Sequence, residues 1–138
     1  MADLSITAGN VALAAGTTAT RKNVTYGEAV TQGQAVYLAA TGKWLKADAN
    51  DSVTAGSAGV GIALTKGSTD EPGIVITGGS MNIGATLTAG QPYFVSSNAG
   101  GICPATDLSS TEYTTYLGSA TSASVINLGP HASGGLTA

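Results

Sequence analysis

Gly27–Leu38 reads GEAVTQGQAVYL, and Gly84–Val95 reads GATLTAGQPYFV. At an offset of 57, Gly27 falls on Gly84, Thr31 on Thr88, Gly33 on Gly90 and Gln34 on Gln91. The same offset sets Val60-Gly61-Ile62-Ala63 against Leu117-Gly118-Ser119-Ala120. Between these matches, GKWLKAD (Gly42–Asp48) faces GGICPATD (Gly100–Asp107) after about one inserted residue. An offset kept on both sides of a compensated insertion is the mark of an internal duplication, here of one small β-module. The alternative is convergence of two Gly-punctuated β segments on one turn chemistry. Within the repeat, Val36, Tyr37 and Leu38 suit a pleated, half-buried surface. Gly33 and Gly90 sit where a type II turn needs positive φ. The repeated stretch therefore predicts strand, tight turn, strand, and carries no nucleophile, base or metal ligand.

The 138 residues suffice for one domain, or for two small modules sharing a core. Charged residues are only 9% of the chain, against about 25% in ordinary globular domains. Such a chain suits an assembled or extracellular protein with a Ser/Thr/Gly surface, partly covered by a partner. A net charge of -3 argues against a nucleic-acid partner, because displacing counterions from phosphate takes a basic stripe. A single cysteine, Cys103, rules out an internal disulfide framework and reads as a small buried hydrophobe. No apolar run approaches the length of a membrane span, so no membrane partner is expected. The first residues, MADLSITAGNVALAAG, place Asp3 where a signal peptide carries basic residues, and do not read as one.

Helical periodicity is missing throughout, and Gly or Pro interrupts nearly every window. Short strands between turn signals predict an all-β fold: a compact antiparallel β-barrel or sandwich built from the two modules. Leu4–Thr20 is small, apolar and Thr-rich. It reads as an edge strand, or as an extended arm that orders on a neighbour. The expected organisation is an N-terminal arm or edge strand over 1–22 and a single β-domain over 23–129, with modules at about 27–77 and 84–128. A flexible tail is expected over 130–138. Leu4, Ile6, Val11 and Leu13 are the large apolar side chains of the arm and the candidate partner interface. With so few of them, the arm is expected to be poorly ordered in an isolated subunit.

No constellation here suggests an enzyme. Asp48, Asn50 and Asp51 lack the further ligands and closing Glu of a calcium loop, and read as turn formers. His131 stands alone in a Gly/Ser-rich segment, without the neighbours a metal site needs. Asp70-Glu71 precede Pro72-Gly73 and read as a solvated turn. Trp44 with Tyr37, Tyr93 and Tyr116 would make a sugar-stacking platform only if exposed together; most are needed for the core. No catalytic residue, metal or cofactor is assigned.

The order of elements resembles the capsid decoration, or cement, proteins of tailed bacteriophages. The resemblance runs from LSITAGNVAL through G-x-x-V-T-x-G-Q-x-V-Y-L, GKWLKADA and AGVGIAL to a second G-x-x-L-T-x-G-Q. It closes with GGICPATDL and YLGSATSASVINL, and so covers nearly the whole chain. It implies a small virion β-protein on the outside of an assembled head, reinforcing contacts between major capsid protein subunits. It also implies a homo-oligomer, most often a trimer, and carries over no individual functional residues. A receptor- or glycan-binding virion appendage is the alternative, and a scaffolding or tail-tube component a third. The appendage requires the aromatic residues in an exposed groove; the scaffolding or tail-tube component, self-assembly without heads.

Overall fold

The structure, a computed structural model, describes Leu4 and residues 6–13, 19–48, 59–104 and 113–136. Among the described residues, ten strands follow a short 3-10 turn at Ala8–Asn10; the first five are β1 (Ala12–Leu13), β2 (Thr20–Thr25), β3 (Ala35–Leu38), β4 (Trp44–Lys46) and β5 (Val60–Ala63). The rest are β6 (Pro72–Asn82), β7 (Pro92–Val95), β8 (Ile102–Pro104), β9 (Tyr113–Ala120) and β10 (Val125–Leu136). They form one curled antiparallel sheet, a half-barrel, in the order β4-β3-β5-β6-β10-β9-β7-β8. The eleven-residue β6 is the spine. Its first half lies between β5 and β2, its second between β10 and β1.

The repeat seen in the sequence reappears as a repeat of register. In the first module Val36 pairs with both Gly61 and Lys46; in the second Tyr93 pairs with Gly118 and Pro104. Ile62 and Ala63 pair with Ile76 and Val75, as Ser119 and Ala120 pair with Asn127 and Ile126. The turns match as well. Gly33 N–H donates to Ala63 O at 2.9 Å, and Gly90 N–H to Ala120 O at 2.7 Å. Their φ values are 87° and 85°, the left-handed conformation that only glycine adopts without strain. A bulge between Tyr93 and Phe94, opposite β9, is the main departure.

The modules do not turn the same face to the shared core. Ile83, Leu87, Tyr93, Val95, Ile102, Ala120 and Ile126 line one side of the second module and belong to the large central cluster. Their counterparts in the first are Tyr26, Val30, Val36, Leu38, Trp44, Ala63 and Val75, which form a separate small core. What the first module adds to the central cluster comes from its opposite face: Ala35, Tyr37, Ala47, Val60, Ile62 and Ile76. Each module thus has a core of its own, and the first docks on the second through its back. The back of the second module carries Pro92, Phe94, Tyr116, Ser119 and Asn127, all exposed or half-buried. Period-two burial on both faces explains why β3, β5 and β6 read as apolar runs.

Of the two readings of the N-terminal segment, Ala12 and Leu13 take the edge strand: β1 pairs with β6, Ala12 to Asn82 and Leu13 to Met81. β2 begins at Thr20 and runs through Arg21, Lys22 and Asn23, pairing along β6 across the boundary expected at residue 22. At the other end, β10 continues through the segment expected to be a flexible tail. The backbones of His131, Ala132 and Leu136 pair with Tyr116, Thr115 and Tyr113, because β9 is long enough to give them a partner edge.

Candidate interaction surface

Leu4, Ile6, Val11 and Leu13 are brought together, but against their own domain. Val11 is 6% exposed and part of the central cluster, and Leu4, Ile6 and Leu13 are half-buried against it. Four large apolar side chains looked too few to order the segment. The structure gains the rest of the stabilisation from backbone groups and glycines. Leu4 N–H donates to Ile102 O and Thr7 N–H to Gly84 O, both at 2.8 Å, and Asn10 N–H closes the 3-10 turn on Thr7 O at 3.0 Å. Ile6 and Val11 lie over Gly33: a Cβ built there would stand 2.6 Å from an Ile6 methyl and 3.0 Å from a Val11 methyl.

The place this segment takes is specific to the second module. In the first, Gly27 N–H donates directly to Trp44 O at 2.9 Å, and the neighbouring Tyr26 bridges Trp44, closing the outer edge of β4. The counterparts of Gly27 and Trp44 are Gly84 and Ile102. Instead of meeting, they are joined through Leu4 and Thr7. The N-terminal segment is thus wedged into a slot that the first module closes by itself. A Cβ on Gly84 would come within 2.5 Å of Thr7 O, so the fit is close on that side. Beside the plug, a shallow groove is lined by Leu4, Ile6, Gln34 and Asn98.

Several of the remaining candidates have structural partners, while the side chain of His131 lies outside the described residues. Glu71 accepts from Ser68 N–H at 2.6 Å, and Asp70, at φ 67°, accepts from Lys43; together they fold the β5–β6 loop. Glu28 accepts from Lys46 N–H at 2.9 Å. Cys103 is buried. Asp48 is half-buried, while Asn50 and Asp51 lie outside the described residues. Trp44, Tyr37 and Tyr93 are all buried and so form no exposed platform, and Lys22 Nζ sits 5.8 Å from the Trp44 ring centroid. Tyr116 is only half-buried and packs edge-on to Phe94, ring centroids 5.6 Å apart. Burial pushes the Tyr26 phenol above the ordinary value, and the side chain of Thr65 opposes this in part; the phenol itself donates to Thr65 O at 2.7 Å. Among the described residues, no three His, Cys, Asp or Glu side chains are grouped to hold a metal ion.

No protein-family model matches the chain, and no curated protein matches it.

Proposed function

We propose that this chain is a virion structural protein that binds the outer surface of a tailed-phage head and stabilises contacts between major capsid protein subunits. The observation that carries the reading is the motif order, from LSITAGNVAL through two copies of the G-x-x-[VL]-T-x-G-Q stretch. The physical character of the surface supports it. Exposed positions such as Thr7, Asn10, Thr20, Asn23, Thr25, Thr31 and Thr41 are neutral, so covering them removes few ions from water. The back of the second module, with Phe94 and Tyr116 half-buried and Pro92 exposed, offers a broad uncharged face of the kind buried at permanent interfaces. The partners in this reading are the major capsid protein and further copies of the chain, a trimer by resemblance. A glycan-binding appendage would need Trp44 and the tyrosines in an open groove, and Trp44, Tyr37 and Tyr93 are core residues.

The test is sedimentation with heads of the phage that encodes the chain, prepared without it. Co-sedimentation at a fixed ratio to coat subunits, with heads surviving higher temperature, is the expected outcome. Heads that neither retain the protein nor gain stability would overturn the reading.

A further inference from the structure

We propose that residues 4–13 are an exchangeable plug: the slot between Gly84 and Ile102 is a binding site for this segment, and accepts it from a second copy of the chain through the same contacts as from its own. The occupant is identified by what sits there now. Leu4 and Thr7 supply one N–H each to Ile102 O and Gly84 O, Ile6 and Val11 cover Gly33, and Ala12 and Leu13 pair with Asn82 and Met81. The first module closes the equivalent gap with a direct Gly27–Trp44 hydrogen bond, so the slot belongs to the second module alone.

Every one of these contacts is made to residues far along the chain, and none depends on which copy donates the segment. Exchange therefore conserves the contacts and changes only the concentration term. In one chain the segment is held at the effective concentration of its short link, of order mM. Copies free in dilute solution cannot compete with that. Copies crowded side by side can, and segment exchange is a low-cost route to an oligomer. The exchange is a property of the chain and stands whether or not the chain decorates a head.

The experiment uses the full chain with a protease recognition sequence inserted between Gly16 and Thr17. Refolding at about 1 mM, near the effective concentration of the link, should give a dimer fraction that refolding at a thousandth of that does not. Cleaving the inserted sequence should turn these dimers into monomer-sized particles that keep the N-terminal fragment. Unfolded in denaturant, separated from its N-terminal fragment and refolded, the cleaved monomer should then take up a fluorescent peptide of residues 2–13 in a one-to-one ratio. The same peptide carrying Ile6→Asp and Val11→Asp should be excluded. Dimers that survive cleavage are held by another surface and overturn the proposal. So do the absence of dimers at both concentrations, and a cleaved protein that refuses the peptide or accepts both versions equally.

Discussion

A Cβ built on Gly33 would stand 2.6 Å from an Ile6 methyl, whereas one on Gly90 meets nothing within 4 Å. Both glycines have φ near 85°, so each substitution carries the backbone cost of the left-handed region, about 1–2 kcal/mol for an L-residue. Gly33→Val adds overpacking against the N-terminal segment, typically about 1–3 kcal/mol. Urea unfolding should therefore rank Gly33→Val well below Gly90→Val in stability. Equal losses would mean that Ile6 and Val11 do not rest on that turn. The positive φ was legible in the Thr-x-Gly-Gln repeat; the difference between the two copies was not, because Ile6 is 27 residues from Gly33 in sequence. Tyr26 supplies a second residue-scale prediction. Its phenol is held above the ordinary pKa of 10.0 by burial, so the folded state favours the protonated form. That contribution is fully present below pH 10 and is lost as pH rises through the folded value. Tyr26→Phe removes it, along with a hydrogen bond worth about 1 kcal/mol. The stability gap between wild type and Tyr26→Phe should be constant from neutral pH to about 9 and narrow above about 10, the ordinary tyrosine value. A gap unchanged through pH 11 would place the phenol in water.

At the scale of elements, the strands with alternating or β-branched patterns were readable. Trp44 lies in one core and Ala47 in the other, as alternation along GKWLKADA requires. Val60 and Ile62 likewise share a face opposite Ala63. The backbone pairing of 131–136 was hidden because GPHASGG has the composition of a linker. Its strand character comes from β9, whose first residues would otherwise lack a partner. Ending the chain after Gly129 should therefore expose the Tyr113–Tyr116 edge and lower the melting temperature. Removing only residues 137 and 138 should not. Similar melting temperatures for both truncations would show that the pairing beyond Leu128 adds nothing. The anchoring of the N-terminal segment was hidden for a related reason. Counting its apolar side chains counted burial, but its anchoring also uses main-chain donors and the space above Gly33.

For the whole molecule, the consequence of the duplication lies in how the copies meet. The first module docks through Ala35, Tyr37, Ala47, Val60, Ile62 and Ile76 onto a core built by the second, and β6 serves both. Neither copy has a complete surface by itself: separated, the first would expose that apolar back, and the second would lose the β6 strand that pairs with β10. A chain built this way should unfold in one transition, with calorimetric and van't Hoff enthalpies equal, despite its two-module sequence. Ile76 gives the sharpest test, being fully buried in β6 and paired with Ile62 of the first module and Arg21 of β2. Ile76→Ala should cost about 2–5 kcal/mol, the range for a large aliphatic residue truncated in a core. Because Ile76 packs in the cluster that also holds Tyr93, Leu117 and Ile126, amide protons of β7 and β9 should lose protection by the same free energy as those of β3 and β5. If exchange quickens in the first module and stays unchanged in the second, the two copies fold independently, and the shared core joins them without coupling them.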